Sequence, residues 1–202
     1  MSIYQLKPRF QALLRPGVVR LHRLGVTANQ VTVTACIVSV VLGVWLFARP
    51  TPAAFLLIPA WLLVRMGLNA VDGMLAREHG QQTPLGAFLN EQTDVVSDAA
   101  LYLPFATLAA FSPFWVGTVI VLSGLSEFTG ALGPTVGASR RYDGPMGKSD
   151  RAVVFGALGL WIGLGGPLPE ALGWLMPVVA ALVLWTIVNR TRRALQQTST
   201  PA

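Results

Sequence analysis

Apolar residues gather into six runs long enough, or nearly long enough, to cross a bilayer: roughly residues 31–48, 53–76, 86–111, 114–136, 151–166 and 170–189. The fifth is short and rich in glycine. Pro50 and Pro52, Pro84, Pro113, Pro134 and Gly165-Gly166-Pro167 punctuate the runs where turns are required, so most connections are short. The exception is the polar stretch 137–150, G-A-S-R-R-Y-D-G-P-M-G-K-S-D. Ahead of the first run, Phe10, Leu13, Leu14, Val18 and Leu21 are interleaved with five cations. That pattern predicts an amphipathic helix lying on an anionic membrane surface, broken near Pro16-Gly17; a basic flank that only sets topology is the plainer alternative. The expected architecture is an all-α membrane protein forming one domain over 1–202. It comprises a surface helix at 1–24, six transmembrane helices over 31–189 and a polar tail at 190–202.

Composition supports this reading, because 53% hydrophobic and 12% charged residues in 202 is wrong for a soluble globule. Charge then orients the chain. Lys7, Arg9, Arg15, Arg20, Arg23, Arg77, Arg140, Arg141, Lys148, Arg151, Arg190, Arg192 and Arg193 fall on one side of the predicted spans, 13 of the 15 Lys and Arg residues. Arg49 lies opposite and Arg65 within a span. Positive flanks are retained in the cytoplasm, so both termini are expected there, in a multi-pass protein of a cell membrane such as the bacterial inner membrane. Cys36 is the single cysteine and has no internal disulfide partner. No A-x-A-like cleavage site follows the basic N-terminal stretch, so no cleavable signal peptide is expected.

Two of the oily runs carry polar stripes. Arg65, Asn69, Asp72 and Ala76 share one helical face in the second, and Gly86, Asn90, Asp94 and Asp98 repeat every four residues in the third. Carboxylates and amides are costly in membrane-spanning sequence and mark sites of chemistry or transport. Counted from Arg77 and Gly86, the members Asp72, Asn90 and Asp94 are shallow enough to share one cytoplasmic cavity. Arg65 and Asp98 lie deeper, roughly 18 Å in at 1.5 Å per residue. Arg65 is therefore expected to form a structural ion pair with Asp98, or with Glu127 of the fourth span. Oxygen donors without nearby His or Cys suit Mg²⁺ or Mn²⁺, and hard cations imply phosphates.

The spacing Asn69-x2-Asp72-Gly73-x2-Ala76-Arg77-x8-Gly86-x3-Asn90-x3-Asp94 resembles the signature of the CDP-alcohol phosphotransferase family, D-x2-D-G-x2-A-R-x8-G-x3-D-x3-D. Every gap agrees. G-V-T-A-N-Q-V-T before the first span is similar to that family's G-[IV]-T-P-N-x-[IL]-T, and six spans after a surface helix match its architecture. The resemblance implies a membrane phosphotransferase of phospholipid biosynthesis. Such an enzyme moves a phosphatidyl or similar group from a CDP-alcohol such as CDP-diacylglycerol to an acceptor hydroxyl and releases CMP. It implies divalent metal at Asn69, Asp72, Asn90 and Asp94, nucleotide against Asp72, Gly73, Ala76, Arg77 and Gly86, and Asp94 as the base. The implied partners are a CDP-linked lipid donor, an alcohol or phosphorylated alcohol, membrane lipids and a second copy of the chain, without nucleic acid.

Arg141, Lys148 and Arg151 are candidates for a phosphorylated acceptor, with topology signals and head-group anchors as their alternative role. Asn69 and Asn90 stand where the signature has aspartate and remove two negative charges. One metal, a second recruited with the donor's diphosphate, or lost catalysis all remain open. A catalytically silent lipid- or nucleotide-binding relative is thus the second expectation. An ion-coupled transporter, motivated only by membrane carboxylates, gains no support from internal repeats.

Overall fold

The computed structural model describes residues 3–199, with side chains over 10–198. Residues 1–2 of the expected surface helix, 200–202 of the polar tail, and the Lys7 and Arg9 side chains lie outside the described residues. Seven α-helices follow in order: α1 Ile3–Arg23, α2 Ala28–Ala48, α3 Leu57–Glu78, α4 Pro84–Tyr102, α5 Pro113–Leu132, α6 Lys148–Gly163 and α7 Leu175–Ser199. No strand occurs among the described residues.

Local chemistry sets several of these starts. Thr27 Oγ1 accepts from the Gln30 amide at 3.2 Å while the Gln30 side chain accepts from the Thr27 amide at 2.9 Å, a reciprocal cap opening α2. Thr83 caps α4 by accepting from the Gly86 amide at 2.9 Å, and Pro84 occupies a first-turn position where no amide hydrogen is required. The third apolar run does not continue as one α-helix to residue 111. Pro104 cannot donate the next helical hydrogen bond, and the chain tightens into a 3₁₀ turn over Leu103–Thr107. The expected break at Pro16-Gly17 is absent, for α1 continues through it. Tertiary contacts hold both sides, with Arg15 paired to Glu78 at 2.7 Å and Val18 wholly buried against α3 and its neighbours.

Among the described residues, four stretches are long and apolar enough to cross a membrane: Ala28–Ala48, Pro52–Glu78, Pro113–Val136 and Glu170–Thr198, with mean hydropathy of 2.4, 1.7, 1.4 and 2.2. The other two expected spans stand apart for physical reasons. α4 carries Glu91, Asp94 and Asp98, and α6 has 16 residues, which reach about 24 Å. Large apolar side chains such as Ile37, Val41, Leu63, Val121, Phe128 and Trp185 are exposed on the outside. The buried residues include Arg65, Asp72, Asp98, Glu127, Arg151 and Arg190. An apolar exterior around charged interior groups is the arrangement a hydrocarbon solvent requires.

α2 packs on α3 and α4, α5 on α7, α6 on α3, and α1 lies across α3. The main apolar core joins Leu46, Phe55, Ile58, Leu101, Phe105 and Phe155, with the Tyr102 and Phe155 rings stacked 3.8 Å apart. Gly159 and Gly163 of α6 serve packing within the chain. A Cβ at Gly159 would lie 3.0 Å from both Ile58 and the Phe55 carbonyl, and one at Gly163 would collide with Leu56. The α2 backbone also approaches α4 closely, where a Cβ on Gly43 would overlap the Ala100 carbonyl. Gly43→Val is therefore expected to force these helices apart and destabilise the fold by about 1–3 kcal/mol or more. A lowered thermal transition in detergent checks this.

Candidate active site

Three helices meet at one end of the bundle around a cavity of 520 Å³. α3 contributes Asp72, Gly73, Ala76 and Arg77, α4 contributes Gly86, Asn90 and Glu91, and the start of α2 contributes Asn29 and Thr32. Arg140, from the connection between α5 and α6, lines the remaining side and is ion-paired with Glu91. Asp72 is only 5% exposed. Thr32 donates its hydroxyl hydrogen to Asp72 Oδ2 at 2.7 Å, which fixes the carboxylate against α2.

The two glycines of the spaced pattern matter through the groups they admit. A Cβ on Gly73 would lie 2.7 Å from a terminal nitrogen of Arg77, so glycine lets that guanidinium fold back over α3. A Cβ on Gly86 would lie 2.7 Å from Asn29 Oδ1 and 3.0 Å from Thr83 Oγ1. Small residues thus leave backbone and polar atoms facing the cavity, where a phosphate-bearing ligand can approach them.

The sequence-predicted residues divide into three sets. Asp72, Gly73, Ala76, Arg77, Gly86 and Asn90 all line the cavity. Asn69 is half-buried one turn below Asp72, outside that lining. Asp94, expected to share the cavity, is absent from its lining and is held at the boundary with the interior: Arg65 donates to its Oδ1 at 3.0 Å and to its carbonyl at 3.1 Å, and the Lys148 ammonium is paired with its Oδ2. Asp72 is close enough to feel the charges of both Asp94 and Lys148.

Below these groups runs a buried chain of charges. Arg65 meets Asp98 at 2.5 Å, Asp98 meets Arg151 at 3.5 Å, Arg151 meets Glu127 at 2.9 Å, and Glu127 meets Arg190 at 3.4 Å. Arg190 also donates to the Ser126 carbonyl at 2.5 Å. The chain ties together α3, α4, α6, α5 and α7. Two expectations change here. Arg151, read as a candidate for the acceptor, is wholly buried because it neutralises Asp98 and Glu127. Arg141 does not line the cavity; it pairs with Asp143 at 2.8 Å and donates to Gln197 at 3.0 Å. Lys148 alone of those three cations reaches the shallow part of the polar stripe, at Asp94, whereas Arg151 meets its deep end at Asp98.

Several cavity residues lay outside the sequence reading. Asn29 and Thr32, six and nine residues beyond Arg23, belong to the G-V-T-A-N-Q-V-T stretch, which carried a resemblance but no assigned place in the site. Glu91 adjoins Asn90 but is one residue off the four-residue repeat; Arg190, which lies in the charge chain and not in the cavity, read only as a topology signal.

The family model for CDP-alcohol phosphatidyltransferase matches residues 25–188. The chain belongs to this family. It is a membrane transferase that moves a substituted phosphoryl group from a CDP-alcohol to an acceptor hydroxyl, with release of CMP, in phospholipid biosynthesis. Among its relatives is the inner membrane protein YnbA of Escherichia coli, 46% identical over 96% of this chain and 97% of that protein. The archaetidylinositol phosphate synthase of Aeropyrum pernix is 32% identical over 92% of each chain. In fold the transferase is similar to the phosphatidylinositol phosphate synthase PgsA1 of Mycobacterium tuberculosis. The form with CDP-DAG bound has a TM-score of 0.75 and 24% identity, over 93% of this chain and 96% of that one. The form in complex with manganese and citrate has a TM-score of 0.74 and 23% identity, over 93% and 92%.

The buried charges of the transferase make an energetic contrast testable. Glu127→Leu leaves Arg151 and Arg190 short of their shared partner and is expected to cost about 3–5 kcal/mol. Arg15→Ala breaks the exposed pair with Glu78 and should cost less than about 1 kcal/mol. Parallel thermal unfolding in detergent measures both.

Proposed function

We propose that the transferase moves the phosphatidyl group of CDP-diacylglycerol to the hydroxyl of a phosphorylated polyol, at the cytoplasmic face of a bacterial inner membrane. The cavity carries this reading: six residues of the spaced pattern converge there from α3 and α4. Support for the acceptor class comes from the synthases of inositol phosphate lipids among its relatives and from Lys148 beside Asp94. All six helices α2–α7 cross the membrane in this reading, with both termini in the cytoplasm. The cation-bearing ends support it, since Arg15 meets Glu78 beside the cavity mouth and Arg193 meets Asp143 on the α5–α6 connection.

The residues fit a hard divalent ion. Asp72 offers a carboxylate, and Asn69 and Asn90 offer amide oxygens. No group of three His, Cys, Asp or Glu suited to a metal occurs among the described residues. Mg²⁺ is commonly held by one or two carboxylates with phosphate oxygens and water completing its octahedron, and Mn²⁺ accepts the same donors. When bound, the ion neutralises diphosphate charge and stabilises departing CMP. Asp72 and the asparagines would hold it, while Arg77, folded over Gly73, would receive the nucleotide phosphates. Asp94 takes the proton from the acceptor hydroxyl as its oxygen bonds to the phosphatidyl phosphorus and the bond to CMP breaks. Arg65 and Lys148 hold the Asp94 oxygens in place for that transfer.

The test is CMP release from CDP-diacylglycerol with Mg²⁺ or Mn²⁺ across a panel of alcohols and phosphorylated alcohols. Turnover with a phosphorylated polyol is expected, together with a fall of about 10²–10⁴-fold in Asp94→Asn. Arg141→Ala should leave the rate within about twofold, because that side chain is tied outside the cavity. No CMP with any acceptor, or an undiminished Asp94→Asn, overturns the reading.

A further inference from the structure

We propose that Lys148 is the resident cation of Asp94, and that the site consequently holds a single divalent ion centred on Asp72. This deepens the transfer reading above and rests on it for the presence of metal. The two carboxylates of the polar stripes are not equivalent. Asp94 has a cation on each oxygen, Arg65 at Oδ1 and Lys148 at Oδ2. Asp72 receives the Thr32 hydroxyl and has no ion-pair partner among the described residues. Among the described residues lining the cavity it is the one carboxylate without an ion-pair partner, since Glu91 is held by Arg140.

Lys148 is aimed by the fold and does not merely drift near Asp94. It is the first residue of α6, whose opening turn is closed by the Gly147 amide donating to Asp150 Oδ2 at 2.9 Å. Three residues on, Arg151 is locked between Glu127 and Asp98 with no exposure. With that turn fixed on both sides, the Lys148 side chain crosses to α4 and remains 30% exposed. A second dication at Asp94 would meet the ammonium and the buried Arg65 guanidinium together, in a place that water screens only in part. Asn69 and Asn90 supply no charge to offset that repulsion. Asp94 is therefore kept for the proton, and Asp72 for the metal.

Manganese counting separates these roles without turnover. The purified full-length chain in detergent is dialysed against Mn²⁺ alone, and bound ions are counted by electron paramagnetic resonance. One ion per chain is expected for the wild type, one for Asp94→Asn, none for Asp72→Asn, and two for Lys148→Met, where Asp94 Oδ2 is freed and Arg65 alone remains. Lys148→Arg, which keeps the charge, should stay at one. Two ions or none in the wild type, loss of the ion in Asp94→Asn, or one ion or none in Lys148→Met would overturn the proposal. CMP release measured on the same preparations keeps the two readings apart. Turnover with two ions sinks the single-ion site alone, whereas one ion without turnover sinks the transfer reading alone.

Discussion

The structure depends on the Arg151 guanidinium, which lies fully buried between Asp98 and Glu127 inside a bundle with an apolar outer face. An ion in that position without partners is prohibitively costly, so every helix that carries one must be brought to another that carries its opposite. Arg65 extends the chain of charges into α3 and Arg190 extends it into α7. Apolar packing alone discriminates weakly between arrangements of oily helices in lipid, because lipid tails are as apolar as the side chains they would replace. The ion pairs, together with close contacts at Gly43, Gly159 and Gly163, select one arrangement.

The site stands directly on this scaffold. Arg65 spans both levels, meeting Asp98 within the charge chain and Asp94 at the edge of the site. Arg151 fixes the first turn of α6 and thereby the reach of Lys148. A single network thus stabilises the bundle and aligns the groups proposed to act on phosphate. The same division explains why Arg151 is unavailable to a ligand while its neighbour three residues earlier remains half-exposed. Burial has converted one cation into architecture and left the other facing the chemistry.

Much of this was legible from residue spacing. The four-residue repeat from Gly86 to Asp98 and the matching stripe around Asp72 predicted two facing helices, because helical periodicity is local and needs no knowledge of neighbours. Arg65 and Asp98 read as equally deep by counting residues, and they lie in contact. Their neighbours were less legible. Glu127, equally open to Arg65 in sequence, belongs to Arg151 and Arg190, a choice made by which helices pack together. His22 and His79 showed no partner in sequence, yet their rings stack at 4.1 Å once α1 lies across α3.

Sequence by itself determined the helices, their apolar outer faces, the excess of cations on one side, and the spaced pattern that marks the family, since each is written in local order and periodicity. Tertiary structure decided which charges meet. It carried α1 through Pro16, withdrew Arg141 and Arg151 from the cavity, brought Thr32 to Asp72, and gave Asp94 two cations while leaving Asp72 none. The physical reason is that a charge in a low-dielectric interior interacts strongly with whatever lies a few ångströms away. Those neighbours come from helices distant in the chain.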